Sequence, residues 1–152
     1  AKAEIESGMR YADVVKLTEE ELEFVTGTAG LEKGCERILR YGPRFAVVTR
    51  GKESCFSFDG TLGVEVPAFR VLQVDSTGAG DAFVGGTLLR YLEKSKKGHS
   101  LFPMDREETR EMLRFAHACG ALTVTRKGGY PRPSHYDGGA EVFEEQLREY
   151  SE

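Results

Sequence analysis

Hydrophobic and polar positions fall into blocks whose period changes along the chain. Residues 3–9 read as the end of a helix, and residues 12–16 as a short buried strand through Val14 and Val15. A helix over 18–25 is closed by Gly27, and another over 30–41 carries Leu31, Ile38 and Leu39 before Gly42-Pro43. Residues 45–49, Phe-Ala-Val-Val-Thr, are continuously apolar, as expected of a strand buried on both faces of a parallel sheet. Residues 54–58 and 62–66 flank Asp59-Gly60, a hairpin signal. An extended apolar segment (Phe69, Val71, Leu72, Val74) predicts a further strand, and Phe83, Val84, Leu88, Leu89 and Leu92 follow at helical spacing. Residues 94–104 read as a loop. A long helix over 105–124 places Met112, Phe115, Cys119 and Leu122 along one face. Residues 125–139 are irregular and rich in Gly and Pro, and 140–150 form a closing helix.

Strands alternating with helices predict an α/β layered sandwich with a mostly parallel sheet. Ligands in such sheets bind beyond the carboxyl ends of the strands. Lys16, Thr49 and Asp75 all lie at or just after predicted strand ends, so three distant segments should converge on one crevice.

The junction Asp75-Ser76-Thr77-Gly78-Ala79-Gly80-Asp81-Ala82-Phe83 is chemically the most informative stretch. Its small residues allow a tight turn and leave backbone N–H groups uncovered at a helix start. There the unpaired donors and the helix dipole favour an anion. Asp81 falls in the first helical turn beside that anion site. A carboxylate that can take a proton, next to amides that stabilise a transferring group, suits phosphoryl transfer to a hydroxyl. An acidic residue in a first turn also arises simply because it complements the dipole. Other glycine motifs fit poorly. Gly51-Lys52 is followed by Glu53 and lacks the spaced glycine of a Walker A loop, and Phe83 stands where a dinucleotide fingerprint needs its third glycine.

Composition narrows the class. The chain has 152 residues, 39% hydrophobic and 30% charged, enough for one globular core. A net charge of −4 argues against nucleic acid or an anionic membrane as the main partner. No apolar run approaches a membrane span, and no signal peptide opens the chain. Cys35, Cys55 and Cys119 are widely spaced and read as free thiols in a reducing cytosol. His99, His117 and His135 give no metal-ligand spacing.

The nine-residue junction closely resembles the signature of the PfkB, or ribokinase-like, carbohydrate kinases, D-T-x-G-A-G-D-x-F, with Ser76 where Thr is usual. Three further segments are similar to that family. Lys16-Leu17-Thr18-Glu19-Glu20-Glu21 matches its N-x-x-E segment, and the Lys-x-Thr form is nearest the fructokinase branch. Thr18 and Glu21 also have the spacing of a capping box. Thr49-Arg50-Gly51 matches a T-x-G turn that faces the nucleotide, although a strand ending this way is also ordinary turn chemistry. Residues 115–128 resemble the segment beside the adenine, with His117 replacing the usual Asn.

The resemblance implies a ribokinase-like three-layer α/β/α sandwich, with residues 1–152 as the C-terminal, nucleotide-binding and catalytic-base part of one kinase domain. The implied reaction is ATP-dependent phosphorylation of a sugar primary hydroxyl, fructose above others. The alternatives are a kinase for 2-keto-3-deoxygluconate, ribose or a nucleoside, or a non-catalytic nucleotide-binding fragment. Asp81 would be the base, with the Gly78, Ala79 and Gly80 amides holding the phosphoryl charge. Lys16, Thr18, Thr49, Gly51, Lys52, His117 and Gly120 would bind nucleotide. Glu21 would hold Mg2+ through water, and Asp75, Thr77 and Gly128 would enclose a monovalent cation such as K+. The implied setting is cytoplasmic, the partners are sugar and ATP, and the full-length parent could pair as a homodimer. The chain opens Ala1-Lys2-Ala3-Glu4-Ile5, without Met and already helical in pattern, so it reads as part of a longer protein. The sugar-binding and lid segments of the family would precede it. Their absence should expose sheet side chains such as Val14 and Val47.

Overall fold

The structure, a computed structural model, describes residues 2–96 and 103–125. The elements run α1 (Lys2–Met9), β1 (Val14–Thr18), α2 (Glu19–Thr26), α3 (Leu31–Leu39), β2 (Phe45–Thr49), β3 (Ser54–Phe58), β4 (Gly63–Pro67), α4 (Ala79–Lys96) and α5 (Arg106–Val124). The four strands form one sheet in the order β1-β2-β3-β4. β1 pairs parallel with β2, with Val14 opposite Phe45 and Thr18 opposite Thr49. The β2–β3 and β3–β4 pairings are antiparallel. Among the described residues the sheet is therefore mixed rather than mostly parallel. The Asp59-Gly60 turn makes a hairpin, and the β2–β3 connection is too short to return a strand in parallel.

The alternation of side chains along β2 accounts for its unbroken apolar run. Phe45 and Val47 enter a core with Val64, Val66, Phe83, Met112, Leu113 and Ala116, beneath α4 and α5. Ala46 and Val48 enter a second core with Met9, Leu17, Leu22, Val25 and Ile38, beneath α1, α2 and α3. Helices on both faces of one sheet make the three-layer α/β/α arrangement. A central strand in such a sheet has no solvent face to make polar. Val47 is 1% exposed and Val14 packs at the edge of its cluster, so the expected exposure of these two residues does not occur. α4 and α5 already cover that face of the sheet.

Local signals set most helix limits. The Thr18 hydroxyl accepts from the Glu21 N–H, the Glu21 carboxylate accepts from the Thr18 N–H, and α2 ends at Gly27. Asp105 and Glu108 form the same box at the start of α5. β1 starts at Val14 rather than residue 12. The Asp13 carbonyl instead accepts the Arg44 and Phe45 N–H groups, and Ala12 turns back onto Met9.

The segment before the glycine junction is not a strand. Leu72 is 85% exposed and Val74 56%, and the segment is held where the Val74 and Asp75 N–H groups both donate to the Val124 carbonyl. A strand needs a neighbouring ladder, and this segment has none among the described residues. On α4, Phe83 and Thr87 are buried, whereas Leu88, Leu89 and Leu92 are exposed. α4 also continues to Lys96, three residues into the expected loop. Gly128 and the predicted elements beyond residue 125 lie outside the described residues.

Candidate active site

The chemistry-bearing residues gather at two adjoining places: the carboxyl ends of β1 and β2, and the start of α4. α4 begins at Ala79, so its first helical rung runs from the Ala82 N–H to the Gly78 carbonyl at 2.9 Å. The N–H groups of Ala79, Gly80 and Asp81 precede that rung. Ala79 turns its N–H back to the Ser76 carbonyl at 3.3 Å, so the donors of Gly80 and Asp81 form the open part of the cradle. Gly78 adopts φ +79°, the left-handed turn that lets the chain enter the helix. Asp81 is exposed in the first turn.

Lys16 joins the two places. A Cβ built on Gly80 would lie 3.5 Å from Lys16 Nζ. The ammonium of the β1 end thus rests against the backbone of the α4 start. A cation, uncovered amides and the positive end of a helix dipole here face the same volume, with a carboxylate at its rim.

The neighbouring strand ends carry the other candidates. Thr18 and Thr49 are register partners across β1 and β2. The Thr49 hydroxyl donates to the Leu17 carbonyl at 3.3 Å, which ties the turn after β2 to β1. Gly51 turns at φ +57° with open space around its α-carbon, and Lys52 beside it is exposed. Glu21 commits Oε2 to the Thr18 N–H at 2.7 Å and leaves Oε1 outside the capping box. The capping and ligand readings of Glu21 are therefore compatible in geometry. Asp75 accepts from the Thr77 N–H at 2.9 Å, a local turn at the entrance to the junction.

Two further expected nucleotide residues lie against α4. His117 is buried, with its ring edge-on to Phe83 at 5.3 Å and a hydrogen bond to the backbone of Val66. Its Nε2 has no partner among the described residues, and burial pushes its pKa down to about 4. α5 turns this position into the α4–α5–β4 core, so His117 is a neutral core side chain rather than a face for a purine. Gly120 serves helix packing: a Cβ there would meet the Ala79 carbonyl oxygen at 3.2 Å. Its role is to let α5 approach the junction closely.

The sequence reading missed the part played by Arg50. It contacts Glu19, Glu53 and Glu65 at 3.3–3.4 Å. Only Glu53 is near it in sequence, while Glu19 and Glu65 lie 31 and 15 positions away, so no local signal marked the cluster. Among the described residues no group of three or more acidic, His or Cys side chains could hold a metal by itself. No described helix is long and apolar enough to cross a membrane.

Comparison with known proteins follows this geometry. The chain is 41% identical to fructokinase-1 of Zea mays over 132 residues, which is 86% of the chain and 39% of the maize protein. It thus spans about two-fifths of the length of the curated relatives it matches. Its fold is similar to the structure of a fructokinase with bound ATP from Xylella fastidiosa, with TM-score 0.81 and 32% identity over 99% of this chain and 47% of that one. It is also similar to a Vibrio cholerae fructokinase double mutant bound to fructose, ADP and potassium, with TM-score 0.74 and 30% identity over 99% and 44% of the two chains. The model of the pfkB family carbohydrate kinases matches residues 1–135, and with the junction, the strand ends and the fold in agreement, the chain belongs to that family.

Proposed function

We propose that the protein carrying this chain is an ATP-dependent sugar kinase that phosphorylates a primary hydroxyl, with fructose as its acceptor. The observation that carries this reading is Lys16 Nζ against Gly80, one residue from Asp81. In the proposed reaction the Asp81 carboxylate takes the proton of the sugar hydroxyl. The hydroxyl oxygen forms a bond to the γ-phosphorus of ATP, and the bond from that phosphorus to the β,γ-bridging oxygen breaks to release ADP. The Gly80 and Asp81 amides and Lys16 offset charge on the transferring group, Ala79 contributing where its N–H is released from Ser76. Thr18, Thr49, Gly51 and Lys52 contact the nucleotide from the β1 and β2 ends.

The donor set fits Mg2+. This ion is bound through one or two carboxylates plus substrate phosphates and keeps several waters, so a lone carboxylate oxygen at Glu21 suffices. When bound it neutralises phosphate charge. Asp75 and Thr77 offer hard oxygens of the kind a monovalent cation takes. The kinase reading sits with a reducing, cytoplasmic setting: Cys35, Cys55 and Cys119 are free, and burial raises the first two to about 12 and the third to about 11.

The test is ADP release by the full-length protein against fructose, ribose, 2-keto-3-deoxygluconate and a nucleoside, each with and without Mg2+. Fructose-dependent ADP release with the highest kcat/KM of the panel is expected. Preference for another acceptor would keep the kinase and discard fructose, and no acceptor-dependent release would discard the kinase.

A further inference from the structure

We propose that Arg50 is a positioning residue of the nucleotide site, holding the β2–β3 turn and the first turn of α2 in one arrangement. This rests on the kinase reading above. Arg50 lies between Thr49 and Gly51, the two turn residues assigned to the nucleotide. Its Nε lies 3.4 Å from Glu19 Oε2, at the first residue of α2 and two residues before Glu21. One Nη lies 3.3 Å from both Ser54 Oγ and Glu65 Oε1, and the other 3.3 Å from Glu53 Oε2. Ser54 Oγ donates to the same Glu65 oxygen at 2.8 Å. The backbone is tied as well, the Arg50 N–H donating to the Ser54 carbonyl at 2.9 Å and the Glu53 N–H to the Arg50 carbonyl at 3.1 Å.

Each of these ion pairs, partly exposed, adds little stability alone. Their significance is connectivity. One planar guanidinium, with five donors in a fixed fork, spans β4, the β2–β3 turn and the start of α2. Thr49 fixes the turn to β1 by its hydroxyl, and Arg50 fixes it to α2 by its side chain. The spacing between the Gly51 backbone and the Glu21 carboxylate is thereby set before any ligand arrives. A ligand bridging the two then loses less conformational freedom on binding.

The test uses the full-length protein and compares Arg50→Gln, Arg50→Lys, Glu19→Gln and the Arg50→Gln/Glu19→Gln pair. Arg50→Gln should raise KM for ATP by about tenfold, with kcat and the KM for sugar within about twofold of the parent. Glu19→Gln should raise KM for ATP in the same direction, and the pair should be no worse than Arg50→Gln alone. Arg50→Lys keeps the charge but loses the fork, so it should recover little of the effect. Unchanged KM for ATP in Arg50→Gln overturns the proposal. So does tighter ATP binding in Glu19→Gln, which would make Arg50 only a counter-charge. A parallel loss in sugar KM, kcat and Tm would make it only a fold contact, and also overturns the proposal. If the parent protein shows no MgATP binding by calorimetry, the kinase reading fails and this role fails with it. A parent that binds and turns over while Arg50→Gln matches it removes this role alone.

Discussion

In the proposed reaction Asp81 is the base: its carboxylate is exposed, and Lys16 Nζ rests against the neighbouring Gly80. Asp81→Asn in the full-length protein should leave ATP binding by calorimetry intact and lower kcat by at least ~10²-fold. Retention of most of the turnover would place the base elsewhere. His117 makes a different residue-scale prediction. Its folded pKa of about 4 lies below the ordinary 6.5 because burial disfavours the charged ring. Between those values the unfolded chain binds more protons than the folded one. The contribution is therefore fully present above pH 6.5 and is lost as pH falls through that window to about 4. At ~1.4 kcal/mol per unit, the loss approaches ~3 kcal/mol. His117→Asn should flatten the dependence of the urea midpoint on pH between 7 and 4.5. An unchanged slope would show that other groups carry the acid sensitivity.

The pairing of α4 with α5 governs how the junction is held. The two helices cross where a Cβ on Gly86 would meet Cys119 Sγ at 2.7 Å and the Ala116 α-carbon at 3.1 Å. Farther along, Lys94 pairs with Glu108 at 2.6 Å, and Arg90 lies over the Phe115 ring at 4.1 Å. Gly120 closes the crossing at Ala79, and the Val124 carbonyl holds Val74 and Asp75. The adjacent glycines Gly85 and Gly86 therefore have opposite expected responses to alanine. Gly85 has open space around it, so Gly85→Ala should gain up to ~1 kcal/mol from helix propensity. At Gly86 the same gain is outweighed by overpacking of about 1–3 kcal/mol against backbone that cannot easily yield. Thermal melts of the two variants should shift in opposite directions, and a common sign would mean the crossing is looser than its geometry.

At the scale of the whole molecule, the described chain brings the β1 and β2 ends to the start of α4 and leaves the outer side of that helix uncovered. Gly85, Leu88, Leu89 and Leu92 share the outer side of α4, and Leu72 and Val74 precede the junction uncovered. Apolar residues grouped this way favour association. Residues 1–152 expressed alone should sediment as more than a monomer and show no sugar-dependent ADP release, because the alignment of a bound acceptor accounts for roughly 7–11 kcal/mol of barrier in such reactions. Robust activity from residues 1–152 alone would mean that the site is complete within them.

The sequence by itself determined what short-range chemistry specifies. The Thr18–Glu21 box, the Asp59-Gly60 hairpin, the five residues of β2 and the junction ending in Asp81 were all legible, because caps, turns and side-chain alternation act over a few residues. The same local signals pointed to the family and to the candidate base. Tertiary structure alone decided which neighbours those residues meet. It turned His117 into the core, gave Gly120 to helix packing and left residues 69–74 irregular despite their apolar pattern. It also recruited Arg50 to three carboxylates and set Lys16 against Gly80 across 64 residues of chain. Periodicity records whether a side chain is apolar, whereas burial, hydrogen-bond partners and strand formation depend on what another segment brings to that side chain.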